Sequence, residues 1–126
     1  MAKIIINTPN APAPIGPYNQ AVVAGNLLFI SGQIALQPGT GELINSDIVV
    51  ETEQVMKNLA AILTEAGLDF SHVVKTTIFL SDMDLFAQVN EIYGKHFASE
   101  FPARETVAVK GLPKNVRVEI SMIAMK

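Results

Sequence analysis

Val73-Val74-Lys75-Thr76-Thr77-Ile78-Phe79-Leu80 is the stretch on which the fold turns. Five of its eight residues are β-branched, and apolar side chains fall on odd and even positions alike. A strand written this way is covered on both faces, whereas a half-exposed strand alternates. Helical periodicity flanks it on either side. Upstream, Ile48, Val55, Leu59, Ile62 and Ala66 recur at spacings of three, four or seven, with Asp47 placed as an N-cap and Gly67 just past the end. Downstream, Leu85, Phe86, Val89, Ile92, Tyr93, His96 and Phe97 write a second helix, with Ser81, Asp82 or Asp84 at its start and Pro102 beyond it. Right-handed crossovers put both helices on one face of the sheet. The other face must then meet something else, and neighbouring subunits are the natural cover.

Working outward, Ile4 to Ile6 reads as a short strand and Asn7 to Pro17 as an ordered surface loop, because its four prolines cannot donate ladder hydrogen bonds. Ala21 to Val23 and Leu27 to Ser31 are strands joined through Ala24-Gly25-Asn26 as a hairpin. Gln37 to Asn45 is a loop by composition. Thr106 to Val109 and Val116 to Met125 complete the strands, separated by Gly111-Leu112-Pro113-Lys114-Asn115. The order ββ(β)αβαββ predicts an α+β fold: one mixed sheet with two helices on one face, in a single domain over residues 1–126.

Only 17% of the 126 residues are charged, against roughly a quarter in an ordinary soluble domain, and mean hydropathy is +0.33. A small domain removes that much apolar surface from water most simply by assembling with copies of itself, so a homo-oligomer is expected. Net charge is −3, and the nine Lys and Arg are spread from Lys3 to Lys126 without a basic run, which argues against nucleic acid as a partner. No apolar run approaches the roughly 20 residues of a membrane span, and the N-terminus lacks a signal-peptide core, so a cytoplasmic protein without a membrane partner is expected. The absence of cysteine removes disulfides, thiolate ligands and a cysteine nucleophile together. His72 and His96 stand 24 residues apart without metal-binding spacing, so no metal is expected. No serine sits in a GxSxG context and no glycine-rich phosphate loop is present, which sets aside triad hydrolases and nucleotide triphosphatases.

In the last strand Val116, Val118, Ile120 and Met122 alternate with Arg117, Glu119 and Ser121, so Glu119 sits mid-strand among apolar neighbours. It is either a solvent-facing carboxylate, the commoner fate of glutamate, or a general acid/base in a cleft. Arg104 enters the penultimate strand after Phe101-Pro102-Ala103. Its planar fork suits bidentate capture of a carboxylate, and a surface arginine paired with Glu105 is the plainer alternative. Tyr18 follows Gly16-Pro17, and Ser31-Gly32-Gln33 closes the hairpin strand. A backbone N–H freed beside a glycine can approach an anion, although both segments also read as packing and turn features. Asn90 lies beside the apolar stripe of the second helix, where its poor helix propensity implies a tertiary reason, functional or structural.

Ile15-Gly16-Pro17-Tyr18, Ser31-Gly32-Gln33-Ile34, Val74-Lys75-Thr76-Thr77, Phe86-Ala87-Gln88-Val89-Asn90-Glu91-Ile92-Tyr93, Pro102-Ala103-Arg104 and Leu112-Pro113-Lys114-Asn115-Val116, taken in order, closely resemble the RidA (YjgF) family. The resemblance implies a chorismate-mutase-like fold of the bacillus type and a homotrimer with clefts between subunits. It implies hydrolysis of 2-iminopropanoate and 2-iminobutanoate, derived from 2-aminoacrylate and its homologue, to 2-oxo acids and ammonia without a cofactor. Arg104 matches the family arginine that grips the substrate carboxylate, and Glu119 the carboxylate that holds and activates water. Tyr18, Ser31 and the Gly32 backbone match positions lining the same cleft, and Asn90 and the Thr106 carbonyl join them as candidate substrate contacts. Two positions depart from the pattern. Glu105-Thr106-Val107 stands where most members carry Ser-Cys-Val, and Ala35 where a proline often follows the Ser-Gly-Gln-Ile motif. The rival reading is a binding module that senses 2-oxo acids in the same cleft without turnover. A ribonuclease reading suits the acidic charge balance poorly.

Overall fold

The computed structural model describes residues 2–126. Asp47 starts the first helix, α1 (Ile48–Glu65), by accepting the Val50 N–H at 2.8 Å, and Gly67 leaves it in the left-handed region at φ 77°. Val55, Met56, Leu59, Ile62 and Leu63 are its fully buried stripe. The second helix, α2 (Phe86–Gly94), is shorter than the periodicity from Leu85 to Phe97 suggests. A 3-10 turn over Met83–Leu85, capped by Asp82, precedes it, and His96 and Phe97 follow in turns. The apolar spacing survives because turns and helix present Val89, Tyr93 and Phe97 to the same core.

The strands are β1 (Ile4–Ile6), β2 (Ala21–Ala24), β3 (Leu27–Gln33), β4 (Val73–Leu80), β5 (Ala103–Ala108) and β6 (Val118–Met125). They form one sheet in the order β1-β2-β3-β6-β4-β5, antiparallel throughout except for the parallel β4–β5 pair. Val118, Ile120, Met122 and Ala124 of β6 and Thr76, Ile78 and Leu80 of β4 are buried in the core that also takes both helices, so the helices cover a single face, as expected.

β2 and β3 run on to Ala24 and Gln33 rather than ending at Val23 and Ser31, and β5 stops at Ala108 rather than Val109. Two strand starts also differ from the expectation. β5 begins at Ala103 rather than Thr106, because its parallel ladder with β4 draws in Ala103, Arg104 and Glu105 whatever their propensity. The last strand begins at Val118 rather than Val116, and Val116 packs instead with Ile34 and Leu36 in a small second cluster. Among the described residues no helix lies over the opposite face of the sheet. That face presents Phe29 at 43% and Val107 at 42% exposure beside Lys75, Thr77, Phe79, Ser121 and Ile123. The stretch that reads as buried on both sides is thus covered on only one side within a single chain.

Candidate active site

Glu119 stands on β6 opposite Phe79, on the face away from the helices. It lines a cleft of about 360 Å³ together with Tyr18, Ser31, Gly32 and Gln33, and Ile15, Ile34 and Leu36 add apolar lining. Burial pushes the Glu119 carboxyl above the ordinary glutamate range. The commoner reading of Glu119, a carboxylate facing open solvent, is therefore replaced by a half-buried acid in a cleft.

The wall of the cleft is the proline-rich loop, and one buried amide orders it. Gln20, 2% exposed, accepts the Thr8 N–H at 2.7 Å through Oε1. Its Nε2 donates to the carbonyls of Thr8, Ala11 and Pro12 at 3.0, 3.3 and 2.9 Å. The loop's backbone groups thus find partners that its prolines cannot supply through a ladder. Tyr18 follows on this loop, half-exposed, and its hydroxyl oxygen accepts the Ile15 N–H at 3.3 Å. Ser31 donates its hydroxyl proton to the Asn19 carbonyl at 2.7 Å and its N–H to the Gln20 carbonyl at 2.9 Å. With that proton committed, the Ser31 oxygen is left with acceptor capacity only.

Arg104 lies elsewhere. In the β4–β5 register it pairs with Thr76, a residue of the helix-covered face, while Glu119 pairs with Phe79, three residues along the same strand. Side chains alternate along a strand, so Arg104 and Glu119 project to opposite faces of the sheet. The guanidinium carbon of Arg104 sits 5.1 Å from the Tyr93 ring centroid and 5.8 Å from that of Phe86. Tyr93 is itself fixed by donating to Thr76 Oγ1 at 3.0 Å, and burial raises its phenol above the usual range. Arg104, Asn90, Tyr93, Phe101 and Pro102 line a second hollow of about 340 Å³. Thr106, two residues further on the same face, buries a hydroxyl that has no partner among the described residues.

The pairing of Arg104 with Glu105 that the sequence allowed does not occur. Glu105 points to the opposite face, accepts the Thr77 hydroxyl at 2.7 Å and pairs with Lys75 at 3.2 Å. Those two contacts, the Thr77 hydrogen bond foremost, hold its carboxyl below the ordinary range. Arg104 forms no ion pair among the described residues.

One chain therefore brings Tyr18, Ser31, Gly32 and Glu119 together, gathers Arg104 and Asn90 separately with Thr106 further along the same strand face, and does not join the two groups. Arg117 also corrects an expectation. It precedes the ladder and turns to α1, where the fully buried Glu51 accepts its backbone N–H at 2.8 Å and its Nε–H at 2.7 Å. It does not share the face of Glu119. His96 pairs with Glu53 at 2.9 Å and His72 with Asp69 at 3.2 Å. Among the described residues no three His, Asp or Glu side chains are grouped to hold a metal ion. Gln20 and Glu51 escaped the sequence reading because a single buried amide or carboxylate leaves no periodic signal.

A family model described as "Endoribonuclease L-PSP" matches residues 8–126. The human 2-iminobutanoate/2-iminopropanoate deaminase is 46% identical over 126 residues, covering 100% of this chain and 92% of that protein. Among solved structures, RidA from an Antarctic Psychrobacter aligns with a TM-score of 0.94 at 40% identity, over 98% of this chain and 99% of that one. Escherichia coli TdcF with bound serine aligns with a TM-score of 0.91, also at 40% identity, over 98% of each chain. A family match that runs from Thr8 to Lys126, joined to structural alignments over 98% of the chain at 40% identity, places the chain in the RidA/YjgF family.

Proposed function

We propose that the protein hydrolyses small 2-imino acids, 2-iminopropanoate and 2-iminobutanoate among them, to 2-oxo acids and ammonia, in clefts completed between the subunits of a homotrimer. The observation that carries this reading is the division of the site. A half-buried carboxyl with a raised pKa lies in one hollow, and an arginine without an acidic partner lies in another, on opposite faces of one sheet. Neither hollow is a complete site for a carboxylate-bearing imine. A second copy bringing its Arg104 hollow to the open Glu119 cleft would complete one and would cover Phe29 and Val107. The names of the human deaminase and of the Psychrobacter RidA support the reaction class, and the serine bound to TdcF supports a ligand of amino-acid size.

In the proposed reaction the Arg104 fork neutralises the substrate carboxylate. The Gly32 N–H and the Tyr18 hydroxyl orient the substrate, and the Ser31 oxygen accepts from the imine N–H. Asn90 and the Thr106 carbonyl offer further polar contacts beside the arginine. Glu119 takes a proton from water as the water oxygen attacks the imine carbon, forming a carbinolamine. The same carboxyl returns that proton to the imine nitrogen and then carries the carbinolamine hydroxyl proton to the same nitrogen, so that the C–N bond breaks, ammonia leaves and the C=O of the 2-oxo acid forms. A carboxyl whose pKa lies above the ordinary range is better matched to passing a proton in both directions near neutral pH. The imine carbon is already electrophilic, so positioning and one proton carrier suffice. The proposed setting is the cytoplasm, without nucleic-acid or membrane partners, and the net charge of −3 without a basic run supports a small-molecule substrate.

The test is the rate of ammonia appearance when a pyridoxal-phosphate dehydratase supplies fresh imine. Addition of the protein is expected to accelerate release above spontaneous hydrolysis. A 2-oxo-acid sensor would bind product and leave that rate unchanged.

A further inference from the structure

The strand that carries Ser31 and Gly32 does not pair evenly with its neighbour. Ile30 faces Met122 and Gln33 faces Ile120, so the two residues between them on β3 oppose Ser121 alone on β6. This is a β-bulge, which re-aims side chains and frees backbone groups from the ladder. Gly32 occupies it with a φ outside the left-handed region, so the backbone does not require glycine there. The space requires it. A Cβ built on Gly32 would overlap Glu119 Oε2 and would lie 2.8 Å from Glu119 Cδ and 3.0 Å from Cγ. The three nearest heavy atoms that such a methyl group would meet all belong to the outer arm of this one side chain.

We infer that Gly32 is a positioning residue for Glu119: the missing side chain in the bulge is the berth in which the carboxylate rests, and any Cβ there drives the carboxylate away from the reacting atoms. This role differs from the backbone contact to substrate assigned to Gly32 above, because an alanine keeps the N–H and removes only the berth. It rests on Glu119 being the proton carrier of the proposed reaction. The outer arm of a glutamate is flexible and opens onto the cleft, so the methyl group displaces it by rotation with little disturbance of the sheet. The consequence falls on function rather than on folding.

The experiment is a double-mutant cycle of Gly32→Ala and Glu119→Ala, read as kcat above the uncatalysed rate, product affinity by calorimetry and thermal melting. Gly32→Ala is expected to lower kcat by about 100-fold, the scale of a misplaced catalytic group. Its product affinity should stay within about threefold of the parent and its Tm within a few degrees. In the Glu119→Ala background the same substitution is expected to change nothing further, since the side chain it displaces is gone. Full kcat in Gly32→Ala would overturn the inference, and so would an equal loss in both backgrounds, which would mean that Gly32 acts on the substrate directly. If Gly32→Ala alone failed to fold, the double variant would have to fold, and its failure would overturn the berth. Full turnover in Glu119→Ala by itself would instead remove the proposed role of Glu119, a result separable from the other arms.

Discussion

The two halves of the proposed site are built by opposite means. Glu119 sits on a strand laddered on both sides, between β3 and β4, beside a bulge and under a loop that Gln20 holds by four hydrogen bonds. Arg104 sits on β5, which has one neighbour, and its guanidinium is steadied by ring faces rather than by hydrogen-bonded anions. Proton transfer demands a fixed atom, and the interior strand supplies one. Carboxylate capture needs a charge that reaches outward, and an edge strand with a stacked, unpaired arginine supplies that.

The sharpest way to break this contrast is to change each half conservatively. Glu119→Gln keeps size and hydrogen bonding yet cannot carry a proton, so turnover is expected to fall by roughly 100- to 10,000-fold while product affinity survives. Arg104→Lys keeps charge and loses the fork, so calorimetry should show weakened 2-oxo acid binding instead. Full turnover in Glu119→Gln would return that residue to a structural role.

A second test asks whether the halves come from different chains. Arg104→Ala and Glu119→Ala homo-oligomers should each be inactive. When they are unfolded and refolded together in equal amounts, a site drawing one half from each of two neighbours is intact in about one case in four, so roughly a quarter of parental turnover should return. A site wholly within one chain would stay dead in the mixture.

The smallest effect concerns stability. Burial raises the Glu119 pKa in the folded chain, so the folded state holds that proton more tightly than the unfolded chain does. The resulting contribution is complete below the ordinary glutamate pKa and is lost as pH rises through the raised value. Glu119→Gln does not titrate, so its Tm relative to the parent should increase by a few degrees between about pH 4 and about pH 7. A difference flat across that range would mean that the carboxyl is as well solvated folded as unfolded.

How much of this was legible from residues alone follows the kind of interaction involved. The α1 spacing, Asp47 as its cap and the alternation from Val118 to Met122 are local and periodic, and they read correctly. The two-sided apolar pattern of Val73 to Leu80 correctly announced a sheet face that one chain leaves bare. The β5 start was read three residues late because a parallel ladder overrides propensity at Ala103, Arg104 and Glu105. The resemblance named candidate site residues, but their distribution over two faces depends on register, which no short motif records. Gln20, the Ser31–Gly32 bulge and the Tyr93 shelf under Arg104 join residues far apart in sequence, and each leaves only an ordinary residue behind.

Glu51 and Arg117 stand 66 positions apart and lock the first turn of α1 to the chain just before β6. A buried carboxylate deprived of its partners is strongly unfavourable, so α1 cannot lift from the sheet while the rest of the fold persists. Fraying is thereby opposed at the first turn of the helix, where Arg117, two residues before Glu119 in the chain, is held. The amides of α1 and those at the head of β6 are expected to form one cooperative unit, which hydrogen exchange would show as a shared, slow opening.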